Sequence, residues 1–344
     1  MCTKTFFEKG VDLGRIKWYN IDVAYPATKI PVYNGGRKMK ISVQGGGYFD
    51  WKDPEGSFKF ISECGFDAVD FNIDNLLSVP GITKAETISS FFDKSDEEII
   101  EFFRPIKEAA EKYGISFVQM HSPFPVWIKD RPDVTDYVRM ANEKCLMVCN
   151  YVGCPAIVVH PVSRTRKEDE IETNLEIYRA LMPAAKKYGV KVCLENLFKT
   201  YNGRCIGASC ADAEEAVWYI DKLNAEAGED VFGFCFDLGH ANLAAKNVKR
   251  YLLTLGHRLT CLHIHDNDGR SDLHMLPYTY TVNWGKDLVT DWEGFIEGLK
   301  EINYRGAINF ETFRVPAAFP KEVKTELFKL IYAIGKYFAD RIEG

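Results

Sequence analysis

The amino-acid sequence predicts an α/β protein: a (β/α)8 TIM barrel in a single domain, preceded by an N-terminal extension. Short apolar runs alternate with longer amphipathic segments, and this alternation recurs eight times in order between residues 39 and 344. Such alternation is typical of a parallel sheet with helical crossovers. Eight consecutive units with right-handed connections can close into a barrel, and a chain of 344 residues suits one such domain.

The first half of the chain contains four predicted strands and the helices between them. The helix over 95–114 has Ser95 as N-cap, Glu98 at the capping-box position and Gly114 after its last turn. The helix over 133–153 carries apolar residues at three- and four-residue spacing. The run AIVVHP is rich in β-branched residues, which indicates a strand buried on both faces. The four strands are predicted at 39–45, 66–71, 115–121 and 156–161, with a further helix near 54–64.

The second half repeats the pattern with four more apolar runs of strand length. A helix over 169–188 ends at Gly189, a residue type that favours the left-handed conformation found just beyond helices. The loop after the seventh strand is long and extends to about Thr290. The strands are predicted at 190–196, 232–237, 259–266 and 306–312, and the other helices near 211–224, 240–255, 291–302 and 320–340.

Two segments bear on the alternatives to this barrel. Residues 1–38 contain several prolines and glycines and little periodicity, so we interpret them as an extension or an arm. The run Gly45, Gly46 and Gly47 follows the first strand, where an open dinucleotide-binding sheet would carry G-x-G-x-x-G. This run predicts a tight turn instead, and residues 39–344 are assigned to the barrel domain.

Composition and charge narrow the classes of function. The formal net charge is −6, which provides no overall attraction to nucleic acid or to an anionic membrane. No apolar run is long enough to span a bilayer, and the first residues lack the pattern of a signal peptide. The ten cysteines lack the short spacings of a disulfide or zinc scaffold, so reduced thiols are expected. We therefore expect a cytoplasmic protein with a small-molecule partner.

Polar residues cluster where the predicted strands end. Six of the seven histidines lie at or just beyond a strand end, and His257 is the exception. Active sites of TIM barrels are built at the carboxyl ends of the strands, so these side chains are expected to share one mouth. They are His121, His160, Glu195, Asp237, His240, His263, His265, Asp266 and Glu311, with Asp272 and His274 on the loop after the seventh strand.

Carboxylates and imidazoles gathered in an apolar barrel mouth must pair with one another or bind a cation. Glu195, Asp237, His263 and Glu311 end four successive strands, and three of these four residues are carboxylates. Such a set suits Mn²⁺, Mg²⁺ or Co²⁺, and further histidines shift the preference toward Zn²⁺. Each residue alone could equally be a structural ion-pair partner, and the metal site is predicted from the whole set.

The same residues lie in motifs that resemble the xylose-isomerase-like barrel superfamily over roughly 41–340. The motifs are QMHSPFP, IVVHP, CLEN, CFDLGHANL, LHIHDNDGRSDLH and INFET, in that order. This superfamily includes sugar isomerases and epimerases, inosose dehydratases and type IV apurinic endonucleases. The motif set is specific to the superfamily and much less specific to one reaction.

The resemblance to ketose 3-epimerases implies roles for individual residues. In those enzymes one metal ion is held by a Glu, an Asp, a His and a Glu, which match Glu195, Asp237, His263 and Glu311. The two glutamates also move the proton, one on each face of the substrate carbon. The histidine after the strand-six aspartate contacts substrate oxygens and matches His240. An arginine soon after the strand-seven histidine does the same, and Arg270 is the nearest candidate.

The type IV endonucleases use nine ligands for three zinc ions, and this chain has a residue of the right type at each position. The most specific match is the D-x-H motif after the seventh strand, Asp272-Leu273-His274, although many sugar-isomerase-like members also keep it. The nine matching positions are His121, His160, Glu195, Asp237, His240, His263, Asp272, His274 and Glu311.

The preferred hypothesis is an isomerase or epimerase of a sugar or sugar-derived polyol, with one divalent metal ion and an enediolate intermediate. His121, His160 and His240 would bind hydroxyl groups, and Trp51, Phe124 and Trp127 could pack on an apolar face of the sugar. A dehydratase or lyase on the same site is one alternative. A zinc phosphodiesterase acting on abasic DNA, with further Zn²⁺, is another, and the negative charge disfavours it. A barrel that only binds a sugar is the third, and a homodimer or homotetramer is possible.

Overall fold

The computed structural model describes residues 38–280 and 290–344, in which eight parallel strands form the predicted barrel. The first seven strands pair in chain order, and the eighth pairs with the first. An isolated bridge between Ile264 and Phe310 joins the seventh strand to the eighth. The strands are β1 (Ile41–Gln44), β2 (Ala68–Phe71), β3 (Ser116–His121), β4 (Ala156–Val158), β5 (Lys191–Glu195), β6 (Phe232–Asp237), β7 (Leu259–His263) and β8 (Ile308–Phe310).

The helices between the strands lie near their predicted positions. The capping box of Ser95 and Glu98 is present, with Ser95 Oγ accepting the N–H of Glu98 at 3.2 Å. Short 3-10 helices cover Ile73–Leu76, Phe91–Asp93, Gly256–Arg258 and Lys321–Val323. The α-helices are Pro54–Glu63, Val79–Lys84, Asp96–Lys112, Pro132–Val152, Lys167–Tyr188, Ala213–Ala227, Leu238–Leu243, Val248–Leu255, Trp292–Glu301, Val315–Ala318 and Lys324–Glu343.

The helix predicted near 240–255 is two helices, Leu238–Leu243 and Val248–Leu255. The break falls at Ala245, which has a left-handed φ of 52°. The second helix then starts afresh, because the side chain of Asn247 accepts the N–H of Arg250 at 2.8 Å. The first, short helix therefore begins directly after β6 and ends before the break.

An unpredicted β-hairpin projects after β5. Its strands, Phe198–Tyr201 and Arg204–Gly207, pair in antiparallel fashion. Asn202 and Gly203 form the turn with φ values of 49° and 71°, as a type I′ turn requires. An Asn-Gly pair between alternating residues is a strong hairpin signal, so the sequence did contain the information that the strand-by-strand analysis missed.

The main hydrophobic core lies between the outer faces of the strands and the helices. Aromatic residues such as Phe58, Phe71 and Phe117 pack edge to face within it. The barrel interior instead carries polar and sulfur-containing side chains, which lead up to the mouth. In residues 38–280 and 290–344 no helix is long and apolar enough to cross a membrane. The predicted 1–38 extension lies outside the described residues, apart from Lys38.

Candidate metal centre

His263 stands at the centre of the barrel mouth, facing three carboxylates. Its Nδ1 atom lies 3.5 Å from Glu195 Oε1, 3.6 Å from Glu311 Oε2 and 3.9 Å from Asp237 Oδ2. All four side chains are buried. Ligand atoms of Asp237, His263 and Glu311 lie within 4.8 Å of one another, a spacing that one ion could bridge.

The order of the strands explains this convergence. β7 lies between β6 and β8, so His263 has Asp237 beside it on one side and Glu311 on the other. Asp237 is paired in register with His263. It also caps the helix Leu238–Leu243, because its Oδ1 atom accepts the N–H of His240 at 2.6 Å. Asp237 therefore has a fixed orientation toward the mouth.

A buried polar network holds His263 from behind. The Nε2 atom of His263 lies 3.3 Å from Asp70 Oδ2. The same oxygen accepts hydrogen bonds from Gln119 Nε2 and Asn309 Nδ2, each at 3.0 Å. Gln44 Nε2 donates to Glu311 Oε1 at 2.9 Å. These four residues were not predicted as part of the site, because each is only one polar side chain within an apolar strand.

The donor set fits a divalent cation. The Nδ1 atom of His263 is buried without a hydrogen-bond partner among the described residues, and its nearest carboxylate oxygen is 3.5 Å away. Buried polar atoms are nearly always hydrogen-bonded or bound to an ion, because desolvation otherwise costs free energy. A carboxylate-rich set with one imidazole suits Mn²⁺, Mg²⁺, Co²⁺ or Zn²⁺.

Charges within the cluster shift the pKa values in opposite directions. Burial alone would raise the pKa of Glu195, but His160 and His263 outweigh it and hold that pKa well below its usual value. Burial raises the pKa of Glu311, and the imidazoles of His263 and His274 offset this only in part. Burial opposes protonation of His263, yet the surrounding acidic groups raise its pKa well above the ordinary value.

The predicted outer residues surround this centre in two groups. On one side, His160 Nε2 lies 2.9 Å from His121 Nε2 and 3.0 Å from Glu195 Oε2. On the other side, His274 Nε2 lies 2.9 Å from Asp272 Oδ2. The next histidine, His240, links both sides: its Nδ1 atom is 3.2 Å from Glu195 Oε1, and its Nε2 atom is 4.0 Å from Asp272 Oδ2.

His265 is a further member of the mouth to which the sequence analysis assigned no role. It is fully buried, and its Nε2 atom lies 3.2 Å from Asp237 Oδ1 and 3.8 Å from Asp272 Oδ1. Its imidazole packs against Gly239, where a Cβ atom would overlap the ring. Alternation along β7 was the available signal, because residues two apart face the same side of a strand.

Arg270 and the three aromatic candidates lie in different surroundings. Arg270 is exposed on the loop, and its carbonyl accepts a hydrogen bond from Cys205 Sγ. The ring of Phe124 lies 4.6 Å from that of His160, at the mouth. Trp127 stacks under the Arg164 guanidinium at 3.9 Å and lines a separate cavity of about 390 Å³. Trp51 packs into an aromatic cluster with residues such as Phe49 and Phe71.

The family model of xylose isomerase-like TIM barrels matches residues 58–330. This is more than half of the chain, so the chain belongs to that family. The uncharacterized protein MJ1311 of Methanocaldococcus jannaschii is 26% identical over 240 residues, which cover 66% of this chain and 74% of that protein. The uncharacterized protein y4fM of Sinorhizobium fredii (strain NBRC 101917 / NGR234) is 34% identical over 102 residues, which span 30% of each chain.

Several solved structures share the fold at low sequence identity. The 3-keto-D-glucoside 4-epimerase YcjR from E. coli has a TM-score of 0.62 at 18% identity, covering 87% of this chain and 100% of that one. A D-psicose 3-epimerase in the presence of D-fructose has a TM-score of 0.62 at 15% identity, covering 88% and 99%. The IOLI protein with a bound zinc atom has a TM-score of 0.59 at 17% identity, covering 88% and 98%.

Proposed function

We propose that this member of the xylose isomerase-like TIM barrel family is a metal-dependent isomerase or epimerase of a sugar or sugar-derived polyol. The observation that carries the proposal is the meeting of three buried carboxylates around Nδ1 of His263. Two structural relatives are named as epimerases of sugars or sugar derivatives, which supports the same class of chemistry.

Glu195, Asp237, His263 and Glu311 would hold the ion. The ion, when bound, would act as a Lewis acid that polarises a substrate carbonyl and so acidifies the neighbouring C–H bond. Asp70 would keep the His263 ring oriented through its Nε2 atom, and Gln44 would hold one oxygen of Glu311. The zinc in the IOLI structure supports a divalent ion of this type, without deciding among Mn²⁺, Mg²⁺, Co²⁺ and Zn²⁺.

Glu195 and Glu311 would carry the proton. They approach His263 from opposite sides, because Glu195 ends β5 and Glu311 follows β8, with β6 and β7 between them. One carboxylate would remove the proton from the carbon next to the carbonyl, and the other would return it on the other face of the enediolate. Positioned carboxylates of this kind contribute roughly 10²- to 10⁴-fold in rate.

The outer histidines would bind the substrate. Substrate hydroxyl groups would replace the 2.9 Å contact between Nε2 of His121 and Nε2 of His160 on one side, and would bind His240 on the other. Phe124 is 42% exposed beside His160, which leaves its face available to the apolar side of a sugar ring. Arg270 is retained as a candidate for contact with substrate, because it lies on the long loop after β7.

Incubation with a panel of ketoses and inososes in D₂O, followed by NMR, tests the proposal. We expect metal-dependent deuterium incorporation at the carbon next to the carbonyl of at least one compound. Glu311→Gln should reduce this exchange by roughly 10²- to 10⁴-fold. Glu215→Gln is the matched control, because Glu215 is also buried but pairs with Lys167 and belongs to none of the ligand groups described above. Exchange that persists unchanged in Glu311→Gln, or occurs with no compound, contradicts the proposal.

A zinc phosphodiesterase remains the second candidate, because the structure brings all nine residues of the endonuclease pattern to one mouth. The basic residues of the nearby loops argue against a DNA-binding groove. Arg131 lies 2.8 Å from Asp133, and Lys167 lies 2.6 Å from Glu170. Metal analysis separates the two functions: about one ion per chain is expected for the isomerase, and two to three zinc ions for the nuclease. Loss of water from the substrate in the NMR experiment would instead indicate the dehydratase.

A further inference from the structure

Three thiols line the barrel interior directly beside the metal centre. Each stands two residues before a candidate ligand, so the strand alternation turns both side chains of every pair to the same interior face. All three thiols are buried and form one small cluster with Ala156 and Val158. The pairs are Cys193 with Glu195, Cys235 with Asp237, and Cys261 with His263.

The stagger between β5 and β6 places the Cys235 thiol beside the candidate ligand Glu195. Glu195 on β5 is paired in register with Cys235 on β6, so these two residues are direct lateral neighbours. The Sγ atom of Cys235, a carboxylate oxygen of Glu195 and a ring nitrogen of His263 all lie within 4.8 Å of one another. Cys235 therefore stands at the level of the ligands, although it precedes Asp237 along its own strand.

The other two thiols have each other as neighbours. Cys193 Sγ and Cys261 Sγ are 3.7 Å apart, in hydrogen-bonding range for sulfur. By contrast, Nδ1 of His263 is buried without a hydrogen-bond partner among the described residues, and the nearest carboxylate oxygen is 3.5 Å from it. This unpartnered nitrogen points to a cation beside Cys235.

We propose that Cys235 is an additional metal ligand, which gives this otherwise carboxylate-rich centre one sulfur donor. The inference rests on the proposed metal site and specifies its ion. As the metal–sulfur bond forms, the Cys235 thiol releases its proton to solvent, because a thiolate is the binding form. A thiolate favours thiophilic ions, so the centre should select Zn²⁺ or Co²⁺ over Mg²⁺ and Mn²⁺.

Loading the full chain with Co²⁺ tests the proposal by spectroscopy rather than by activity. We expect visible d–d bands together with an intense sulfur-to-cobalt charge-transfer band in the near ultraviolet. X-ray absorption of the Zn²⁺-loaded chain should show a sulfur scatterer at about 2.3 Å. Both measurements use the unmodified chain, so the proposal remains testable even where a variant fails to fold.

Cys235→Ser should abolish the charge-transfer band and lower the affinity for Zn²⁺ by at least about tenfold, with a smaller effect on Mn²⁺. Cys193→Ser is the matched control: it removes a buried thiol from the same layer and should leave the band intact. The d–d bands without the charge-transfer band, or a zinc shell of oxygen and nitrogen only, overturn this inference and leave the proposed function standing. Absence of any Co²⁺ bands would instead count against the proposed metal site itself.

Discussion

Asp70→Asn tests whether the network behind His263 supports the metal centre. The substitution keeps the shape of the side chain and removes its charge. Asp70 is fully buried, and its Oδ2 atom faces three groups: His263 Nε2 at 3.3 Å, and the amides of Gln119 and Asn309 at 3.0 Å each. An asparagine has one accepting oxygen and one NH₂ group in place of two accepting oxygens. If the NH₂ group takes the position of Oδ2, it cannot accept hydrogen bonds from these nitrogens.

The expected loss follows from these contacts. A carboxylate behind a ligating histidine fixes the ring and raises its basicity, and removing such a partner typically lowers metal affinity by about 10- to 100-fold. That corresponds to about 1.4–2.7 kcal/mol of binding free energy. Leaving a buried donor unpaired should also lower the free energy of unfolding by about 1–3 kcal/mol. The binding loss is the specific signature, because a purely structural role would leave it small.

Competition with a chromophoric chelator measures the metal affinity of folded Asp70→Asn. Asp67→Asn is the matched control, because Asp67 lies just before β2, at the end of the strand remote from Asp70, and its side chain accepts the N–H of Ile41 at 3.2 Å. We expect the control to bind metal as the parent does. Unchanged affinity in folded Asp70→Asn would refute the idea that Asp70 supports His263 as a ligand.

Three further predictions concern the same mouth and can be checked by unfolding experiments. Gly239→Ala should lower the free energy of unfolding by about 1–3 kcal/mol, because a Cβ atom there would overlap the ring of His265. An unchanged melting temperature would contradict that contact. Burial raises the pKa of Asp74 from 3.8 to about 7, so native stability is lost as the pH rises through this range. Asp74→Asn should therefore stabilise the chain more at pH 8 than at pH 5 in urea unfolding, and equal gains would show that the shift is absent. Removal of metal with a chelator should lower the melting temperature, because three buried carboxylates then repel one another, and added Zn²⁺ should restore it.

Much of the fold could be predicted because its signals are local. The apolar runs of the eight strands and the capping box at Ser95 depend on neighbours in sequence. The break at Ala245 is different, since the residues on both sides of it are compatible with a helix. The two helices are distinguished by the N-cap of the second one at Asn247 and by the separate packing of the two short segments.

The inner part of the site could be predicted for the same reason: its residues end strands, and strand ends of a barrel share one mouth. The network behind His263 could not, because Asp70, Gln119 and Asn309 meet only after β2, β3 and β8 close into a barrel. Within each strand, such a residue is one polar side chain in an apolar run. Which residues it contacts depends on the register between strands, and the sequence of a single strand does not give that register.

Hydrogen bonding differs between the inner and the outer residues of the mouth. In the outer pair, Nε2 of His121 and Nε2 of His160 are 2.9 Å apart, so one ring can donate to the other. By contrast, Nδ1 of His263 faces carboxylate oxygens of Glu195, Asp237 and Glu311 at 3.5–3.9 Å, and it can hydrogen-bond to them only while it carries a proton. On the far side, His265 Nδ1 and Asp272 Oδ1 are buried without hydrogen-bond partners in the part of the chain that the structure describes. In the proposed function, the ion would take the place of the proton on Nδ1 of His263, and substrate hydroxyls would bind on the side lined by His121 and His160.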